Sequence, residues 1–257
     1  MKRYGTLSNI TSIELFDCNC CYGRSARPAF RYAPDVQTLE EEMDFCGISR
    51  ALVFNAGQRF ENPMERNSEL SADIKHRSRL CPSWAALPLS GGEMPSPELF
   101  FAQMMENGIK ALRFFPQEHH FSLDSSSFSG LFELAAAHGT LVFAKENILR
   151  MKDLLGDFPD VNIVAVNQGP HSIERYLGPM LEKHRNLFLD TSYLMTDGML
   201  EDFCERHGPE RLLFGSAFPD NCAGGAVTYL MRADISENAR KRIASGNLNR
   251  LLGGVNL

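Results

Sequence analysis

The chain has no apolar run near the ~18 residues that a helix needs to cross a bilayer, so no membrane partner is expected. Its first residues, Met1-Lys2-Arg3-Tyr4-Gly5-Thr6, are basic. Polar Ser8, Asn9, Thr11 and Ser12 follow where a secretion signal needs an apolar core. Positive charge is in deficit too: 26 Lys and Arg face 32 Asp and Glu, a formal net charge of -6. A nucleic-acid binder carries a basic face, so no nucleic-acid partner is expected. Nothing of low complexity divides the chain, and residues 1–257 read as a single domain. A Gly-x-Gly-x-x-Gly turn after the first apolar run is missing, as is a Walker-type loop, which removes the usual nucleotide sites. The seven cysteines are odd in number and mostly lie inside apolar runs. Without a secretion signal they read as reduced, buried thiols of a cytoplasmic protein rather than a disulfide framework.

What the chain does have is alternation. Apolar, β-branched or aromatic runs fall at Ile13–Cys20, Ala51–Asn55, Ser83–Leu87, Ile109–Phe115, Leu141–Ala144, Val161–Val166, Leu187–Leu189 and Leu212–Phe214. Each suits a strand buried on both faces. Helical patterns lie between them. Asp35 caps one that carries Val36, Leu39, Met43 and Cys46 and stops at Gly47. Ser96-Pro97-Glu98 opens another, and further patterns run over Ser127–His138, Ile148–Asp157, Ile173–His184, Met199–His207 and Ala223–Arg232. Parallel strands joined by helices require right-handed crossovers. Eight such units in this length predict an α/β fold of the (β/α)8 TIM-like barrel type, with an open doubly wound sheet as the alternative.

A barrel gathers its chemistry at the C-terminal ends of its strands. The first strand ends in Asp17-Cys18-Asn19-Cys20-Cys21, and alternation sets Asp17, Asn19 and Cys21 on one face and Cys18 and Cys20 on the other. The remaining strand ends offer Arg113, Lys145, Asn167, Asp190 and Ala217. His119, His120 and His171 lie on the loops just beyond.

Several stretches carry a family likeness: Phe16-Asp17-Cys18-Asn19, Gly108-Ile109-Lys110-Ala111-Leu112-Arg113, Asn186-Leu187-Phe188-Leu189-Asp190-Thr191-Ser192, and above all Arg211-Leu212-Leu213-Phe214-Gly215-Ser216-Ala217-Phe218-Pro219. With Ile243–Leu252, they make the chain resemble the amidohydrolase-2 branch of the amidohydrolase superfamily over nearly its whole length. The resemblance implies a TIM-like barrel, hydrolytic or lyase chemistry, a homodimer, and one or two divalent metals. Those metals would sit on a His-x-His, two further His (or a Lys) and an Asp. The matching positions here hold Asn19 and Cys21, Lys145, Asn167, and Ala217. A catalytic zinc needs about three imidazole, thiolate or carboxylate ligands. Of these five residues only Cys21 is a good one, so neither a metal nor any other cofactor is expected.

The residues then divide into sharp and plain readings. Lys145 is a reactive amine, the ion-pair partner of Glu146, Asp190 or Asp17, or an anchor for an anionic ligand. Cys21 is a nucleophile only with a base beside it. His171 is a proton carrier or a solvated loop residue. Arg113, in an apolar strand, needs a carboxylate such as Asp17 or an anionic substrate as partner. Asn19, Asn167, His119 and Asp190 are candidates to hold the ligand. Cys18 and Cys20 are expected to pack outward under the helices. The expected function is a metal-independent hydrolase or lyase acting on a small anionic molecule. The alternatives are an inactive family member that binds a metabolite or protein partner, and a metal-dependent amidohydrolase with non-standard ligands.

Overall fold

The computed structural model describes residues 12–24, 32–145, 151–169 and 176–256. Among them, short strands alternate with helices, and every strand pair is parallel. One sheet joins β1 (Phe16–Tyr22), β2 (Arg50–Asn55) and β3 (Leu80–Pro82). A second joins β4 (Trp84–Ala85), β5 (Ala111–Phe114), β6 (Leu141–Ala144), β7 (Ile163–Ala165), β8 (Leu187–Asp190) and β9 (Leu212–Leu213).

The two sheets form one cylinder. β3 and β4 are a single strand that changes partner at Ser83: Ser83 N donates to Val53 O of β2 at 3.0 Å, and Ala86 N donates to Arg113 O of β5 at 3.1 Å. The last seam lies between the end of β9 and β1. There Cys18 N donates to Phe214 O at 2.8 Å and Cys21 N to Phe218 O at 2.9 Å, with Cys20 bridging Phe218. Eight strand positions around a closed ring give the predicted (β/α)8 barrel.

Local chemistry sets the helix ends. Asp35 caps α1 (Val36–Cys46) by accepting from Thr38 N at 2.8 Å, and Gly47 ends it in the left-handed region at φ 73. α3 (Pro97–Glu106) opens on Ser96 with a proline in its first turn. α4 (Ser125–His138) is capped by Asp124, so all three serines Ser125–Ser127 belong to the helix. α2 (Pro63–Ile74) escapes the apolar pattern, because its buried residues are only Pro63, Asn67, Leu70 and Ile74. Its start, Asn62-Pro63, is nonetheless a legible cap. The circuit continues through α5 (Lys152–Asp157), α6 (Gly178–Lys183), α7 (Met199–His207), α8 (Ala223–Arg232), α9 (Glu237–Lys241) and α10 (Asn247–Gly253). The expected helices at 148–157 and 173–184 lie partly outside the described residues.

The core has two layers. The strands and the helices outside them enclose the larger. The barrel interior holds the other, with Phe16, Leu52, Phe143, Val164, Phe188 and Leu213 closed below by Leu248 and Leu251 of α10. Each such side chain contributes roughly 1.5–3 kcal/mol on burial. Cys18 corrects the alternation argument: it packs inside with Phe16, while Cys20 lies in the outer layer. The register of β1 against β2 shifts between Asp17 and Cys20, and such a shift reverses the facing of the later residues in the strand. No helix among the described residues is long and apolar enough to cross a membrane.

Candidate functional site

The barrel centre is polar around one cation. Arg113, on β5, is only 2% exposed. Its Nε donates to Ser83 Oγ at 2.7 Å, its Nη2 to Cys18 O at 2.7 Å and Leu52 O at 3.4 Å, and its Nη1 to Asn19 Oδ1 at 3.2 Å. The guanidinium also lies against the rings of Phe54 and Phe143, at 4.7 and 4.6 Å from their centroids. The sequence offered Arg113 a carboxylate such as Asp17 or an anionic substrate as partner. Among the described residues it meets neutral oxygens and aromatic faces, and none of its contacts is an ion pair, with Asp17 or any other carboxylate. Asp17 turns to the β9 side, accepting from Ser216 N at 3.0 Å, from Ser216 Oγ and from Asn19 N at 2.9 Å.

Asp190, at the end of β8, is fully buried. Its Oδ1 accepts from Asn167 N at 2.9 Å, and its Oδ2 accepts from Asn19 Nδ2 at 2.8 Å and Ser192 Oγ at 2.6 Å. Burial pushes its carboxyl up to about 6, against those three hydrogen bonds. Burial likewise raises Asp17. Gly215 lets this cluster close, because a Cβ there would stand 2.9 Å from Asp190 Oδ2.

These neighbours fix how the two amides face. Asn19 must aim its oxygen at Arg113 and its nitrogen at Asp190; turned over, it would set donor against donor and lone pair against lone pair. Its nitrogen also donates to Asn167 Oδ1 at 2.9 Å, and that oxygen accepts from Ser192 Oγ at 3.1 Å. Asn167 holds a left-handed backbone at φ 59, which asparagine tolerates. Among the described residues, these contacts leave Asn167 Nδ2 and one Nη1 hydrogen of Arg113 without an acceptor, both donors on residues that line the cavity above.

That cavity opens at the C-terminal ends of the strands and has about 20 Å³ of free space, enough for one ordered water. Asn19, Cys21, Arg113, Lys145, Asn167 and Ala217 all line it, with the rings of Phe54, Phe115 and Phe143. At its rim, Lys145 Nζ donates to Glu118 Oε1 at 3.1 Å, Arg59 Nη2 meets the same oxygen at 3.2 Å, and Arg59 Nη1 meets Asp220 Oδ2 at 2.8 Å. The Arg59 side chain is 4% exposed and Lys145 22%. Both cations hold the Glu118 carboxyl below its ordinary range against the opposing effect of burial. Among the described residues, two polar atoms in this rim have no hydrogen-bond partner, Glu118 Oε2 and Arg59 Nε. Arg59 stands on the turn after β2, which a buried amide network holds: Gln58 Oε1 accepts from Asn55 N at 2.8 Å, and Asn67 Nδ2 donates to Ala85 O at 2.8 Å.

The sequence reading missed Arg59, Glu118 and Asp220. Each lies a few residues past a strand end, so the rule that found Lys145 reaches them if the loops are read further. The other candidates are distributed differently. His119 turns away to Gln58 O at 2.8 Å and is not among the lining residues. Asp190 lies behind the two asparagines and does not line the cavity. Cys21 packs with Phe54, Ala56, Ala85 and Phe115, and burial pushes its thiol up to about 12, so it stays protonated at neutral pH. His171, and Glu146 as a partner for Lys145, lie outside the described residues.

These residues do not fit a metal of the implied kind. The oxygens of Asn19 and Asn167 are committed, Ala217 has no donor, Lys145 is a cation beside Glu118, and only Cys21 remains. Among the described residues, no three His, Cys, Asp or Glu converge.

Solved structures share the architecture. A 5-carboxyvanillate decarboxylase from Sphingomonas paucimobilis is 17% identical, with a TM-score of 0.74 over 94% of this chain and 99% of its own. A dihydroxybenzoic acid decarboxylase from Polaromonas sp. JS666, with bound manganese and 2-nitroresorcinol, is 16% identical, with a TM-score of 0.75 over 94% and 97%. A candidate 2-pyrone-4,6-dicarboxylic acid hydrolase from Pseudomonas putida is 14% identical, with a TM-score of 0.71 over 95% and 99%. No curated protein matches the chain. The family model described as Amidohydrolase matches residues 32–254, and the chain therefore belongs to the amidohydrolase family.

Proposed function

We propose that the chain binds a small carboxylic acid at the barrel mouth without a protein-held metal, and acts on it as a hydrolase or lyase. The observation that carries this is the direction of the polar atoms. Arg113 and Asp190 force the asparagine oxygens inward, so among the described residues the two asparagines and Arg113 turn N–H groups to the base of the cavity. Donors without competing lone pairs suit an anionic oxygen and repel a metal ion. One carboxylate oxygen takes the room of a single water in the small cavity, and the rest of the acid extends outward past Lys145. The names of the three structural relatives, all concerned with small carboxylated or phenolic compounds, agree with this class.

Lys145 is the residue for chemistry. As an ammonium held by Glu118, it supplies the proton that replaces a departing carboxyl group, or joins Arg113 and Asn167 in stabilising an oxyanion. Asn19 and Asp190 position Asn167, and Cys21 is wall. A second reading, ligand binding without turnover, has its own support. The rim carboxylates are paired with cations and the Cys21 thiol is protonated, so no free base stands among the described lining residues.

The test takes protein purified without chelator. Metals are measured by mass spectrometry, and melting is followed with a dihydroxybenzoate and with a pyrone dicarboxylate. Substoichiometric metal and a raised Tm that Lys145→Met abolishes are expected. One tightly held metal per chain overturns the metal-free part, and no Tm shift with either acid overturns the ligand part. Release of carbon dioxide or of ring-opened product separates turnover from binding alone.

A further inference from the structure

The floor of the barrel carries a second cluster of cations that the mouth does not use. Phe188 lies near the start of β8, at the N-terminal end of the barrel, and is 4% exposed. The guanidinium of Arg211, just before β9, stands 5.5 Å from its ring centroid, and that of Arg250 on α10 stands 5.9 Å away. Arg185 closes the same cleft, an open space of about 530 Å³. Arg211 is the fixed member. Its Nη2 donates to Leu181 O at 3.0 Å and to His184 O at 2.9 Å, and its Nη1 donates to Arg185 O.

The charges around Arg211 do not cancel. Among the described residues none of Arg185, Arg211 and Arg250 has a carboxylate within ion-pair distance. The acids near the cleft are largely spoken for. Glu210 binds Arg242, and Arg206, which also lines the cleft, binds Asp202 at 2.7 Å. Glu182 remains, on the side of His207. Burial lowers Arg211, and its two arginine neighbours lower it further by like-charge repulsion. In a chain of net charge -6, three arginines lining one cleft, two of them over the Phe188 ring, form a local reversal of field.

We propose that this cleft is a binding site for a compact dianion of the phosphate type, held by Arg185, Arg211 and Arg250. Guanidinium forks match phosphoryl oxygens two at a time, and a bound dianion relieves the mutual repulsion of the three. Two sources share this chemistry: free phosphate, and a phosphoryl group on a larger molecule whose apolar part lies along the cleft wall. The site is opposite the mouth and does not depend on what the mouth binds.

The experiment is calorimetric titration of the full chain with inorganic phosphate and, separately, phenyl phosphate, against sodium chloride of matched ionic strength. Arg185→Ala and Arg250→Ala are the variants, since neither side chain donates a hydrogen bond within the described fold. Arg211 is left intact because it ties three carbonyls. Phosphate is expected to bind one to one, each variant to weaken it at least fivefold, and the double variant to abolish it. Lys145→Met is expected to leave phosphate affinity within twofold, which keeps this outcome separate from that at the mouth. Tighter binding of phenyl phosphate assigns the larger source, and equal binding assigns the free ion. No binding beyond the chloride control, or full affinity in the double variant, overturns the proposal.

Discussion

The two polar regions at the top of this barrel share charged residues and differ in completeness. Around Arg113, Asn19 and Asp190, donors and acceptors match across five strands, and what remains points one way. Around Arg59, Glu118, Lys145 and Asp220, two buried atoms have no hydrogen-bond partner among the described residues, and the lysine is part-exposed. Under the proposed function, the lower network aims the amides and the upper ring of charge meets the incoming acid.

Breaking the closed network has the largest effect. Arg113→Met keeps bulk but strands Cys18 O and Asn19 Oδ1 in a dry interior, each costing about 1–3 kcal/mol. A total loss of at least about 3 kcal/mol is expected in urea unfolding, and a loss under about 1 kcal/mol would show that the network is not closed.

Asp190→Asn comes next, at about 1–3 kcal/mol, because an amide nitrogen must then face a donor. It also carries a pH signature. A carboxyl raised to about 6 binds its proton more tightly in the folded chain than in the unfolded one. Its stabilising contribution is therefore full below about pH 4 and is lost as pH rises through 6. Stability of the parent chain should fall over that window relative to Asp190→Asn, and parallel pH profiles would contradict the assignment.

The open ring responds more mildly. Glu118→Gln should cost about 1 kcal/mol while freeing Lys145, so that carboxylate affinity rises severalfold. Weaker binding in Glu118→Gln would mean that Glu118 positions the lysine instead of restraining it. Lys145→Met should change stability by about 1 kcal/mol or less, since Glu118 keeps Arg59 as a cationic partner, yet weaken carboxylate binding at least tenfold.

The closed region was also the more legible in the sequence. Apolar runs marked the strands, strand ends marked Asn19, Arg113, Asn167 and Asp190, and the cost of an isolated buried charge required partners for Arg113. Which partners was not legible. Ser83, Cys18 O and Phe143 come from strands far apart in the chain, and the shift in β1 that sets Cys18 and Cys20 on opposite faces has no local signature. The open ring was harder still, since Arg59, Glu118 and Asp220 stand on turns whose course depends on buried amides such as Asn67. That residue sits on α2, the helix the apolar pattern missed.

Under the proposed function the mouth presents hydrogen-bond donors, not metal ligands, to a carboxylate. The direct measurement is titration of dihydroxybenzoate into chelator-treated protein, and into the same protein with added manganese. Equal Kd in the two samples and at least tenfold weaker binding in Lys145→Met are expected. Binding that appears only with manganese, at one metal per chain, would contradict that function.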